Sequence, residues 1–132
     1  MKAKRRIGTA LALALGATPA TAEQWQPLDF GPPNLATALE AGSVVERGGV
    51  RAAWFAISRA DLHGTPRLIR KERYEFHCAD GESRLSAWGD FYPDGRLAAA
   101  GLAPATAEFK PVALGGTTGH AVALWRAACG RA

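Results

Sequence analysis

The sequence predicts an α+β fold: an antiparallel β-sheet with a C-terminal α-helix packed on it and one disulfide. Three observations carry this expectation. Residues 70–78 (RKERYEFHC) alternate, with Tyr74, Phe76 and Cys78 on one face and Lys71, Arg73, Glu75 and His77 on the other. That is the period of a half-buried strand. Residues 120–129 (HAVALWRAAC) are rich in helix formers, lack glycine, and place Ala121, Leu124, Trp125 and Ala128 on one stripe, as a helix covering a sheet requires. Cys78 and Cys129 are the only cysteines, so one intramolecular connectivity is possible. A bridge between them pins the helix across the strand's apolar face.

The chain opens on a leader. Lys2, Lys4, Arg5 and Arg6 precede an apolar run at residues 7–17 (IGTALALALGA), and Ala20-Thr21-Ala22 supplies a small-x-small pattern. This is the layout of a secretory signal peptide over residues 1–22, cleaved before Glu23. A spanning helix needs about 20 apolar residues, and Thr18-Pro19 interrupts the run well before that. No cysteine lies near the cleavage point, so no lipid anchor is expected. Residues 23–132 then form a single domain in the periplasm or outside the cell. The formal charge of +4 comes from 16 Lys+Arg against 12 Asp+Glu. Without the four leader cations the balance is 12 against 12, which argues against a nucleic-acid partner. No second long apolar run follows, so no membrane span is expected. In an oxidising compartment the Cys78–Cys129 bridge reads as structural. It closes 51 residues, worth roughly 4 kcal/mol in the chain-entropy model, and the Cys-x-x-Cys spacing of a redox site is absent.

Within the domain, residues 34–40 (NLATALE) have helical composition, with Asn34 as a cap and Gly42 as a stop; propensity favours a short helix there. Gly48-Gly49 separates residues 43–47 from residues 50–57 (VRAAWFAI). The latter are apolar on both faces and belong in the middle of a sheet or under a helix. Ala79-Asp80-Gly81-Glu82 supplies a turn. Residues 84–92 (RLSAWGDFY) resume an extended pattern, with Leu85, Ala87 and Phe91 on one face and Trp88 and Tyr92 on the other. Pro93-Asp94-Gly95 is a second turn, and residues 96–102 complete an antiparallel meander. Thr117 or Thr118 serves as the N-cap of the last helix, and Gly130 ends it.

The residues that carry chemistry are few. His63, His77 and His120 lie in different elements. Asp61-x-His63 offers two ligands in a solvated loop, whereas metal sites usually need three or four. His77, with Asp80 and Glu82 in the next turn, makes a small acid–His group on an exposed strand face. There is no Gly-x-Ser-x-Gly elbow and no phosphate-cradling glycine loop. The chain therefore reads as non-enzymatic, with no cofactor and no metal. Arg67, Arg70, Lys71 and Arg73 form the one local concentration of charge. Either they bind an anionic surface or extracellular protein, or they are a solvated strand face interleaved with Glu72 and Glu75. Trp54 and Trp88 read as packing residues.

The order of features is informative as a whole. Glu23-Gln24-Trp25 is followed by Glu40-Ala41-Gly42-Ser43-Val44 and by Gly48-Gly49-Val50-Arg51-Ala52-Ala53-Trp54. Tyr74-Glu75-Phe76-His77-Cys78 comes next, and a Pro111…Gly116-Thr117 stretch leads into Leu124-Trp125-Arg126-Ala127-Ala128-Cys129. This order resembles the surface-adhesin protein E-like family of small exported proteobacterial proteins, over nearly all of residues 23–132. The resemblance implies the same sheet, C-terminal helix and Cys78–Cys129 bridge. It also implies that residues 35–40 are a strand leading into the turn at Ser43, against propensity. For function it implies a binding module that adheres to host or matrix proteins. The family includes an outer-surface lipoprotein, and this chain lacks the lipidation cysteine. The alternative is therefore a periplasmic small-ligand-binding or envelope-maintenance protein. His77 stands where the family pattern often has an acid.

Overall fold

The structure, a computed structural model, describes residues 23–29, 35–60, 66–114 and 120–130. The leader at residues 1–22, the Asn34 cap, Asp61, His63 and the Thr117 or Thr118 cap lie outside the described residues. The strands are β1 (Trp25–Leu28), β2 (Leu35–Glu40), β3 (Val45–Arg47), β4 (Val50–Ala60), β5 (Pro66–His77), β6 (Glu82–Phe91), β7 (Leu97–Leu102) and β8 (Lys110–Pro111). One helix, α1 (His120–Cys129), follows them. The sheet runs β1-β2-β4-β5-β6-β7, with β3 added beside β4 and β8 beside β6, and its pairings are antiparallel. The chain is thus mostly antiparallel sheet with one C-terminal helix. β4, apolar on both faces, is central as expected, while β1 and β8 are strands that local pattern did not reveal.

The short helix that propensity favours at residues 34–40 does not form. Leu35–Glu40 is strand β2, hydrogen-bonded to β1 on one side and β4 on the other, with Thr37 and Leu39 buried. Two ladders outweigh a weak local preference. The turn after β2 is built by side chains. Glu40 accepts hydrogen bonds from the backbone N–H groups of Gln24 at 2.7 Å and Gly42 at 3.1 Å. The Ser43 hydroxyl donates to the Glu40 carbonyl at 2.7 Å and accepts from the Trp54 N–H at 2.9 Å. Between β3 and β4, Gly48 and Gly49 take φ of 59° and 81°, which only a two-residue turn with both centres left-handed requires.

Cross-strand register sorts the side chains into two faces. One row reads Leu39, Phe55, Glu72, Trp88 and Gly101; the neighbouring row reads Ala38, Ala56, Lys71, Gly89 and Ala100. The first row belongs to the helix face. Leu39, Ala53, Phe55 and Phe76 from the sheet and Leu124 and Ala128 from α1 form a single buried cluster. Phe55 meets Phe76 and Tyr74 edge to face, at ring-centroid separations of 6.2 and 6.1 Å, a favoured aromatic geometry. Leu85 was expected to share a face with Ala87. Instead, a register shift leaves Arg73 opposite Ala87 and Tyr74 opposite Leu85. Ser86 is the extra residue of this bulge; its hydroxyl donates to the Arg73 carbonyl at 3.0 Å. Leu85 consequently joins Tyr74 on the helix face.

Cys78 and Cys129 are bonded, with Cα atoms 5.5 Å apart. Arg51 of β4 donates to the Ala128 carbonyl at 3.2 Å, placing a cation at the negative end of the helix dipole. The Gly130 N–H closes the helix on the Arg126 carbonyl at 2.9 Å. Replacing Cys129 by serine removes the bridge from the end of this helix, and we expect a loss of roughly 2–5 kcal/mol, read by urea unfolding. Peptide mapping of the oxidised chain should recover Cys78 and Cys129 linked, whereas two free thiols would contradict the assignment.

Candidate functional site

The face of the sheet turned away from α1 carries a groove of about 650 Å³. Register explains its composition. Trp25 stands opposite Glu40. Trp54 lines up with Arg73, Ala87 and Leu102, and Phe91 with Leu97. All of these alternate with helix-face residues, so they share the other side. Trp25, Trp54, Phe91, Leu97 and Leu102 supply the apolar lining, and small residues at Ala87, Gly89 and Ala100 leave the space between them. A concave, mostly apolar cavity of this size with few polar groups has the make-up of a small-molecule site.

One cation sits in that lining. The Lys71 ammonium lies 4.9 Å from the Phe91 ring centroid, 5.4 Å from that of Trp25 and 3.7 Å from a Glu23 carboxylate oxygen. Both rings hold it by cation–π attraction. Of the two carboxylates in the lining, Glu40 is engaged by the backbone N–H groups of the β2 turn, while the Glu23 side chain is 59 % exposed. An anionic group entering the groove can therefore replace Glu23 on Lys71 without leaving a buried charge unpaired.

The helix face holds a separate polar cluster. Arg70 grips Asp90 with two hydrogen bonds, 2.8 and 2.9 Å, and its guanidinium lies 4.4 Å over the Trp88 ring. The indole in turn covers Gly101, where a Cβ would stand 2.6 Å from Trp88 Nε1. Glu72, buried, accepts from the Tyr74 hydroxyl at 3.3 Å and stands 3.9 Å from Arg70. Burial pushes the Tyr74 hydroxyl well above its ordinary range, with Glu72 adding to the shift. Burial pushes His120 down, against the opposing pull of Glu72. The hydrogen bond from Arg70 holds Asp90 below its ordinary value. Burial alone would raise Glu75, but the guanidiniums of Arg84 and Arg73 outweigh it and lower the net value.

The basic residues singled out in the sequence do not form one patch. Arg70 lies on the helix face with Asp90, whereas Lys71 and Arg73 lie on the groove face. Arg73 is paired with Glu75 at 3.1 Å and with the Ser86 hydroxyl at 3.0 Å. Arg67 is exposed near the start of β5. Trp54 and Trp88, read from sequence as packing residues, both border the groove, Trp88 with Gly101 from the neighbouring row of the sheet, and Trp25 and Phe91 join them. Alternation along one strand cannot reveal such a site, because it assembles across β1, β2, β4, β5, β6 and β7. His77, Asp80 and Glu82 do come together at the β5–β6 turn. No protein-family model, no curated protein and no solved structure matches this chain.

The lowered values of Asp90 and Glu75 fix a pH dependence. Carboxylates held below their ordinary values near 3.8 and 4.5 stabilise the fold fully above those values, and that contribution is lost as pH falls through the lower, folded-state values. Urea unfolding should therefore show stability falling between pH 5 and about pH 3. Asp90→Asn should remove about 1 kcal/mol at pH 7 and flatten part of that fall; the figure is small because Arg70 is half in water and screened. A wild-type curve level across this range would contradict the assignment.

Proposed function

We propose that this chain is an exported, non-enzymatic binding module of the surface-adhesin protein E-like kind. Its groove takes a small apolar ligand that carries an anionic group. The observation that carries this reading is the groove itself: aromatic and small apolar residues from four strands surround a lysine whose counter-ion is an exposed glutamate. The apolar part of the ligand covers Trp54, Ala87 and Leu102, and its anion takes the place of Glu23 on Lys71. Export is supported by the leader pattern of residues 1–22 and by the Cys78–Cys129 bond, which persists in oxidising compartments. No helix among the described residues is long and apolar enough to cross a membrane.

Adhesion to an extracellular protein is the second reading, and β7 favours it. That strand ends the sheet, and its six residues (LAAAGL) carry no charge and no proline. Leu97 is 58 % and Leu102 84 % exposed. β1 contains Pro27 and β8 contains Pro111, which blunt an edge against added strands. Among the described residues no strand pairs with the outer edge of β7, and an uncharged edge beside an apolar groove suits an extended protein segment added as a further strand.

Titration with laurate, followed by tryptophan fluorescence, separates the two. The ligand reading predicts saturable quenching, weakened at least tenfold by Trp54→Ala, about 1.4 kcal/mol, and also weakened by Lys71→Ala. The adhesion reading predicts capture of a matrix protein that is abolished by Leu102→Asp and indifferent to Lys71→Ala. Quenching that does not saturate would overturn the groove as a ligand site.

A further inference from the structure

We propose that His77, Asp80 and Glu82 form a binding site for a divalent transition-metal ion of the zinc class at the turn between β5 and β6. Among the described residues, these three bring an imidazole nitrogen and two carboxylate oxygens within 4.8 Å of one another. The spacing is set by the hairpin. His77 and Glu82 are cross-strand partners, and His77 Nδ1 stands 3.2 Å from Glu82 Oε1. Two donors bound to one zinc ion at about 2.0–2.1 Å stand roughly 3.3 Å apart at the tetrahedral angle. An ion can thus enter between them with little movement of either side chain. Asp80 is exposed in the turn and has only to swing inward to close a third position, leaving a fourth for water.

The imidazole makes the group more than two neighbouring acids, and its surroundings hold it in place. Phe109 stacks on His77 at a centroid separation of 3.8 Å and an angle of 22°, and Arg84 covers the Phe109 ring at 4.5 Å. Cys78, the next residue, is tied to Cys129. The Asp80 N–H donates to the His77 carbonyl at 3.1 Å, and the Gly81 carbonyl accepts from Val112 at 2.8 Å. Backbone and ring are therefore fixed before a metal arrives, which reduces the ordering entropy that binding would otherwise require.

Charge favours a cation. An imidazole and two carboxylate side chains face the ion. Arg84, which lies over the Phe109 ring, is already engaged by Glu75 at 2.7 Å and by the Ala107 carbonyl at 2.8 Å. Lys110 lies across from Ser83 on β8, one residue from Glu82. An imidazole with two carboxylates selects zinc, cobalt, nickel or copper over calcium and magnesium, which prefer all-oxygen shells.

The test is calorimetric titration of the processed chain, purified without a histidine tag, with zinc and separately with calcium. The expected result is one zinc ion per chain at micromolar concentration and no saturation by calcium. His77→Gln should weaken zinc at least about tenfold, since even residues behind the ligands typically cost 10–100-fold. Asp80→Asn and Glu82→Gln should each weaken it as well. Cobalt should give a visible d–d band that His77→Gln abolishes, with the far-ultraviolet dichroism of each variant confirming the fold. If His77→Gln does not fold, Asp80→Asn, in the exposed turn, carries the test alone. Zinc uptake that fails to saturate below millimolar concentration overturns the proposal and leaves His77 and Glu82 as a simple hydrogen-bonded pair. So does zinc binding unchanged in the variants.

Discussion

The buried cluster of Leu39, Ala53, Phe55, Phe76, Leu124 and Ala128 is the contact on which the molecule's other features depend. One ten-residue helix covers one face of the sheet and has no second face to offer. Each large buried side chain in that cluster is worth about 2–5 kcal/mol against truncation to alanine, a substantial fraction of a domain's total stability. The Cys78–Cys129 bond ties the end of the helix to the end of β5, and Arg51 holds the same end from β4 through the Ala128 carbonyl. With the helix committed there, no other helix among the described residues covers the opposite face of the sheet.

That division explains why the two faces differ in chemistry. On the helix face, polar groups are paired: Arg70 with Asp90, and Glu72 with Tyr74 and Arg70. A buried carboxylate without such partners would be strongly unfavourable. On the other face, apolar rings remain in contact with water around a single lysine. Lys71 lays its stem along that surface and sets its ammonium against Trp25 and Phe91, which partly shields the rings. Exposed apolar surface gathered into one groove is the signature of a surface that meets a partner.

The fold was legible where one strand or helix carries its own pattern. The alternation through Tyr74, Phe76 and Cys78 and the stripe through Ala121, Leu124 and Ala128 are local, and a pair of cysteines admits one bond. β2 was not legible locally, because Leu-Ala-Thr-Ala-Leu-Glu suits a helix until β1 and β4 pair with it. The bulge at Ser86 was hidden for a related reason: a single inserted residue reverses every face after it and leaves no compositional mark. The groove needs residues from β1, β2, β4, β5, β6 and β7 in register, so Trp25, Trp54 and Phe91 could be seen as aromatic but not as neighbours. The acid–His group at the β5–β6 turn was visible because a hairpin keeps neighbours in sequence close in space.

The central claim is that the two faces of the sheet are specialised, the helix face for stability and the opposite face for binding. It is tested most directly by recording amide nitrogen–proton NMR spectra of the protein during titration with anilinonaphthalene sulfonate, an apolar anion. The account predicts saturable shifts at Trp25, Trp54, Lys71, Gly89 and Ala100, and on the Trp25 and Trp54 indole N–H signals, with Ala121, Leu124 and Ala128 unmoved. Shifts centred on α1, or spread evenly over both faces, would contradict it.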